Sequence, residues 1–223
     1  MPEPKWEQFA REEAKCYVDT NFNGNKKDFF NSGQSFVEQS LEEVLPRLDE
    51  TARALEIGCG VGRLTFPHAV EFDEVLAVDV APTMLAQLEK HANQFGVDNI
   101  ETYLPDQPWH TKPVNFVYSY LVFQHIPDLE VIRKYIKKIA SCLKPNGKGM
   151  ARLQFDTRPA TLLYRCRNNL PDWLLPKNQR QGIRRIRRKP NTLEGIFQTN
   201  NLSIVRQQFT NSTMHTFLLE KID

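Results

Sequence analysis

Ala54-Leu55-Glu56-Ile57-Gly58-Cys59-Gly60-Val61-Gly62-Arg63-Leu64-Thr65 is the stretch that decides the fold. A short apolar run of strand formers meets glycine at Gly58, Gly60 and Gly62, and a helix-compatible segment follows. Strand, glycine turn and helix, in that order, are how an α/β protein brings its backbone close to a nucleotide. Glycine permits positive φ and puts no Cβ in the way of a ligand. The helix that opens after the turn points free N–H groups and its positive end at the same spot. The spacing differs from the dinucleotide G-x-G-x-x-G form, and the strand carries an acid, Glu56, just before the turn.

The 223 residues suit one domain over 1–223, with an N-terminal arm at 1–30 and an inserted lid at 157–190. No apolar run approaches the ~20 residues of a membrane span, and the first residues lack a signal-peptide core. The expectation is therefore a cytoplasmic protein with no membrane partner. Cys16, Cys59, Cys142 and Cys166 are scattered without a CxxC pair, which argues against a zinc site or a disulfide framework. A net charge of +2 gives no global electrostatic case for nucleic acid. The charge is uneven, however: Lys177, Arg180, Arg184, Arg185, Arg187, Arg188 and Lys189 follow one another with no acid between.

In chain order, the arm carries spaced aromatics, Trp6, Phe9, Tyr17, Phe22, Phe29 and Phe30, suited to stapling it onto the core. Asn31 and Gln34 read as a helix start, and Phe36, Val37, Leu41, Val44, Leu45 and Leu48 share one face of that helix. A second strand at Glu74–Asp79 ends on an acid about twenty residues past the first glycine, where a carboxylate can hold ribose hydroxyls. Pro82 sits where a helix would take it as its first residue. A third strand is expected at Asp98–Leu104 and a fourth ending near Ser119. Asp128 caps a helix with Val131, Ile132, Tyr135, Ile136, Ile139 and Leu143 on its apolar side. Asn146 suits a positive-φ turn before a fifth strand at about Gly149–Phe155. Residues 161–166 read as a helix, and Ile183 and Ile186 give the basic run the spacing of an amphipathic lid helix. Asn191 to Glu194 cap one more helix, and two alternating segments, Leu202–Phe209 and Met214–Ile222, read as a closing hairpin.

Glu56-x-Gly58-x-Gly60-x-Gly62 resembles motif I of the class I S-adenosylmethionine (SAM)-dependent methyltransferases. Asp79 and Met84 are similar to that family's D-x-S-x-x-M, with Ala81 in place of the serine. Pro105-Asp106-Gln107 falls where the family has Gly-Asp-Ala. Asn115–Pro127 resembles the D-F-V-Y-S-x-x-V-x-Q-H-I segment of a small-molecule subgroup, and Leu143–Gly147 resembles L-K-P-G-G. The resemblance covers residues 31–156 by motif and 191–223 by topology, and not the lid. It implies a Rossmann-like α/β fold with a mixed seven-stranded sheet, helices on both faces and a C-terminal antiparallel hairpin. It also implies SAM as cofactor, held by Glu56, Gly58, Cys59, Gly60, Gly62, Arg63, Asp79, Val80, Met84, Asp106, Gln107, Ser119 and Gln124.

Methyl transfer to O or N is an in-line displacement at the sulfonium methyl, so the protein's task is alignment and exclusion of water. His125 is the candidate base, because imidazole titrates near neutral pH, and local loop positioning is its competing role. Arg63 reads either as a partner of the SAM carboxylate or as a surface arginine. The arginine run reads as an anion clamp or as a solvated face. The leading expectation is a methyltransferase acting on a small-molecule acceptor, possibly anionic. A nucleic-acid-directed enzyme using residues 177–189 is the disfavoured alternative, since no N/D-P-P-Y motif is present.

Overall fold

The computed structural model describes residues 5–18, 26–168, 170–175 and 183–222. Seven strands form one sheet: β1 (Arg53–Ile57), β2 (Glu74–Val78), β3 (Ile100–Tyr103), β4 (Phe116–Ser119), β5 (Met150–Phe155), β6 (Leu202–Gln208) and β7 (His215–Lys221). Their order is β3-β2-β1-β4-β5-β7-β6. The first five run parallel. β7 inserts antiparallel between β5 and β6. The helices are α1 (Lys5–Val18), α2 (Lys26–Leu41), α3 (Thr65–Glu71), α4 (Pro82–Phe95), α5 (Leu129–Cys142), α6 (Leu162–Asn168) and α7 (Pro190–Gln198).

The period-2 alternation of each strand sorts its side chains onto two apolar layers. Leu55, Ile57, Leu76, Val78, Val117 and Leu153 pack with Ile132, Ile136 and Ile139 of α5 and with Ile196 and Phe197 of α7. Ala54, Val75, Phe116 and Met150 pack on the opposite face with Val37 and Leu41 of α2. Ala77 packs with Leu85 and Leu88 of α4. Both faces are covered, which is why the central parallel strands read as continuous apolar runs rather than alternating ones. Each fully buried Leu, Ile or Phe contributes roughly 1.5–3 kcal/mol before the entropy of ordering is counted.

Local chemistry sets several boundaries, those at Pro82, Asp128 and Asn146 as expected. Pro82 opens α4, and Gly96 closes it at φ 68°, its N–H donating to the Ala92 carbonyl. The Asp128 carboxylate accepts from the Glu130 N–H at 2.8 Å and caps α5. Asn146 adopts φ 61° in the turn before β5. Four expectations differ from the structure. α2 starts at Lys26, not Asn31, so residues 26–30 of the expected arm belong to it; Ser32 and Gln34 instead make bonds inside the helix. It ends at Leu41, so Val44, Leu45 and Leu48 follow the helix that was expected to carry them. α7 starts two residues earlier than a cap at Asn191 implies: Pro190 opens it and Lys189 is the N-cap, which makes no side-chain bond, because proline at the first position needs no donor partner. Residues 183–189 are turn and extended chain rather than an amphipathic helix, tied by a bridge between Asp156 and Arg187. The first part of the basic run, at 176–182, lies outside the described residues.

Candidate functional site

β1 has β2 on one side and β4 on the other, so the connections diverge at its carboxyl end. A crevice opens at such a switch point in an open α/β sheet. Gly58, Gly60 and Gly62 occupy it at φ 80°, 54° and 96°. A Cβ on Gly58 would lie 2.1 Å from Cγ2 of Val122, and one on Gly62 would lie 2.6 Å from Cε2 of Phe66. The loop after β1 thus touches the loop after β4 at a place no larger residue can occupy.

Asp79 closes the next edge. Its carboxylate accepts from the Gly60 N–H and from the Ala81 N–H, each at 2.9 Å. Burial raises its pKa, while the N–H groups of Ala81, Gly60 and Val80 pull it back down. The acid therefore links the glycine loop to the start of α4. Ser119, at the end of β4, donates to the Ile57 carbonyl at 3.1 Å and ties β4 into the same edge.

Glu56 points to the α3 side of the sheet and is buried. Its Oε2 has no hydrogen-bond partner among the described residues and lies 4.0 Å from Nδ1 of His68. Burial pushes the Glu56 carboxyl up to about 8, with Thr65 and the charge of Arg63 acting against it. Burial pushes the His68 imidazole down to about 3. Both groups are therefore neutral near pH 7. Arg63 is buried as well, not a surface residue. Gly33 of α2 makes room for it: a Cβ there would come within 2.1 Å of the Arg63 carbonyl oxygen. Cys59 is buried, and burial holds its thiol well above the usual range, so it is an inert small residue.

Met84 packs with Ala10, Phe29, Val61 and Ala81, and so faces the arm. Asp106 and Gln107 are exposed on the loop after β3. There Gln107 Oε1 accepts from the Leu104 N–H at 2.5 Å and stiffens the turn.

The loop after β4 is held by an amide relay whose directions are fixed by backbone groups. The Leu121 N–H can only donate, and it donates to Gln154 Oε1 at 2.8 Å. The Gln154 amide nitrogen then donates to the Thr213 carbonyl at 2.5 Å and to Gln124 Oε1 at 3.4 Å. This turns the Gln124 amide nitrogen toward Nε2 of His125, 3.2 Å away. That ring nitrogen is consequently the acceptor, and the proton sits on Nδ1. Burial first, and then the charge of Arg185, push the His125 pKa down to about 4. Leu121 itself is held at φ 60°, a left-handed conformation that costs a branched side chain of order 1–3 kcal/mol. The relay holds this strain in place.

Two coverings complete the site. From α1, Glu7 accepts from the Thr83 N–H at 3.0 Å and from its hydroxyl at 2.5 Å, at the start of α4. Trp6 sets its ring edge-on to His125, centroids 5.4 Å apart. From the other side, the Ile186 N–H donates to the Gln124 carbonyl at 2.6 Å. Arg188 donates to the Ile126 and Pro127 carbonyls at 2.8 and 2.6 Å, and the Arg187 guanidinium lies over the Tyr164 ring at 4.3 Å while donating to the Pro159 carbonyl. These two guanidinium groups brace loops. The aromatic spacing of the arm had flagged Trp6. Glu7 gave no sequence signal, and Gln154 gave one only as an amide inside an otherwise apolar strand.

Residues 54–147 match a family model described as a methyltransferase domain. The ubiquinone biosynthesis O-methyltransferase of Xanthomonas euvesicatoria is 33% identical over 115 residues, which are 48% of this chain and 46% of that one. The 23S rRNA (uracil(1939)-C(5))-methyltransferase of Shewanella halifaxensis is 32% identical over 83 residues, 34% of this chain and 18% of that one. The chain thus spans half the length or less of these curated relatives. The magnesium protoporphyrin IX methyltransferase of Synechocystis, solved with S-adenosylhomocysteine (SAH) bound, superposes with a TM-score of 0.60 at 23% identity, covering 92% of this chain and 90% of that one. The fold is the one these solved SAM-dependent methyltransferases share, and residues 54–147 are the stretch similar to a methyltransferase domain. Among the described residues no helix is long and apolar enough to cross a membrane.

Proposed function

We propose that the protein transfers the methyl group of SAM to an oxygen or nitrogen atom of a small-molecule acceptor. The observation that carries this reading is the Gly60–Asp79 contact at 2.9 Å, which sets a half-buried carboxylate across the glycine loop at the switch point of the sheet. SAM supplies the reactive sulfonium methyl, and the chain supplies placement. The positive-φ turn at Gly58, Gly60 and Gly62 carries the chain tightly past the carboxyl edge of β1, where the amino-acid end of the donor would sit. The unpartnered Glu56 Oε2, whose carboxyl an ammonium alongside would return to its charged form, and the unpartnered Arg63 Nε are the polar atoms one would want beside the ammonium and carboxylate of the donor. Asp79 and Val80 take the ribose edge, Asp106 and Gln107 the base edge, and Met84, Cys59, Ser119 and Gln124 fill in around them.

His125 has the role of a positioning group in this reading. A pKa near 4 makes it a weak base at neutral pH, and its accepting nitrogen faces the Gln124 amide. The acceptor then brings a nucleophile that needs little help, an acidic hydroxyl or a free amine. The variant in which the acceptor is anionic has less support, because Arg187 and Arg188 are engaged with carbonyls and a ring.

An RNA acceptor is the second reading, favoured by the partial likeness to an rRNA methyltransferase. Incubation with methyl-labelled SAM and separate small-molecule and RNA fractions of a cell extract distinguishes the two. Label in the small-molecule fraction is expected. Label in RNA alone would replace the first reading with the second.

A further inference from the structure

A cleft of about 340 Å³ lies between α2 and the carboxyl-end half of the sheet face that α2 covers. Its volume is at the small end of the range for ligand pockets, which suits one ring or two fused ones. Ser119 and Gln154 line it. Ser119 is the residue bonded to the Ile57 carbonyl, next to Gly58, and Gln154 is the residue that holds Leu121. The cleft therefore ends against the same two loops that frame the carboxyl edge of β1 and β4.

Its walls select for shape. Phe36 from α2 and Tyr120 from the end of β4 meet with ring centroids 4.5 Å apart, and Tyr118 stands beside them. Aromatic faces of this kind bind planar rings in offset or edge-on contact.

Its charges select against ions. Glu43 and Arg152 are the charged side chains among the lining residues, and each is already answered. Arg152 Nη1 lies 3.8 Å from Glu43 Oε2, and its Nη2 donates to Gln208 Oε1 at 2.9 Å. Glu43 also accepts from Arg206 at 2.9 Å and from the Gln208 amide at 3.1 Å. A carboxylate or phosphate entering here would lose its water and gain no uncommitted cation. Among the remaining polar groups Gln39 is a neutral donor and acceptor, while the Gln154 and Thr216 oxygens, whose donors are spent on carbonyls and on Gln124, keep lone pairs that can accept from a hydroxyl.

We propose that this cleft binds the ring of the methyl acceptor, and that the ring is planar, uncharged and hydroxylated. The assignment as acceptor rests on the reading of the carboxyl edge as a methyl-transfer site; the cleft's preference for a neutral phenolic ring does not.

Saturation-transfer NMR on the full chain tests it, with neutral 4-methylcatechol against anionic 3,4-dihydroxybenzoate, each with and without SAH. The expected result is binding of the neutral ring at least fivefold tighter than the carboxylate, further strengthened by SAH. Tyr120→Ala removes a wall and Gln39→Trp, on the exposed side of α2, fills the cleft. Each should weaken the catechol at least fivefold while leaving the dissociation constant of SAH, measured separately, within twofold. Equal binding of the two ligands, or catechol binding untouched by both variants, overturns the cleft assignment. Catechol binding that meets these criteria in a protein that ignores SAH keeps the ring site and overturns its role in methyl transfer.

Discussion

Glu56→Gln isolates the buried carboxyl beneath α3 and should change how stability depends on pH. The native carboxyl has a pKa of about 8 against 4.5 for the ordinary group, because burial disfavours its charged form. The sign follows from proton counting. Between pH 4.5 and 8 the unfolded chain has lost this proton and the native protein has kept it. Stability therefore falls as pH rises through that window, by about 1.4 kcal/mol per pH unit, and levels off above it. Across pH 6.5 to 8 the loss is about 2 kcal/mol. His68 acts on the other side: held neutral with a pKa near 3, it costs stability as pH falls below 6.5, where the unfolded imidazole takes up a proton. The two slopes oppose each other between pH 4.5 and 6.5 and produce a plateau. Urea unfolding at pH 5, 6.5 and 8 measures this directly. The wild type should lose about 2 kcal/mol more than Glu56→Gln between pH 6.5 and 8. Parallel slopes for the two proteins would mean that Glu56 is ionised in the native state, and the account of the pocket under α3 would be wrong.

Other predictions follow from single contacts. Asp79→Asn should weaken SAH more than tenfold by calorimetry with the fold intact, since it exchanges a charge-assisted acceptor for a neutral one. Gly58→Ala drives a methyl group to 2.1 Å from Val122 at φ 80°, so it should cost roughly 1–3 kcal/mol in thermal or urea unfolding, and Val122→Ala in the same chain should recover part of that. A double variant no better than Gly58→Ala alone would show that the contact with Val122 is not the source. His125→Asn should keep more than a tenth of kcat and leave the pH profile between 6 and 9 unaltered; disappearance of an ionisation from that profile would restore His125 as the base.

The sheet was legible because parallel strands covered on both faces give compact apolar runs, and Gly58, Gly60, Gly62 and Asp79 sit at spacings that a cradle and an edge acid demand. Asn146 and Asp128 were legible for the same reason, a local conformation that few residues satisfy. The start of α2 was not, because Asn31 has the chemistry of a cap and its neighbours on the amino side carry no breaker between Lys26 and Phe30. Ile183 and Ile186 have helical spacing, yet the chain there is pulled straight by the carbonyl of Gln124 and by Asp156, contacts made across 62 and 31 positions of sequence or more. Gln154 shows the general difficulty. Its importance lies in three partners, Leu121, Gln124 and Thr213, that only the closed sheet and hairpin bring together.

Titration calorimetry with SAH and, separately, NADH tests most directly whether the glycine cradle and Asp79 hold a sulfonium nucleoside. One SAH per chain in the micromolar range, with no heat from NADH, is the predicted result. NADH binding with none for SAH would contradict the account and leave only the architecture of the sheet.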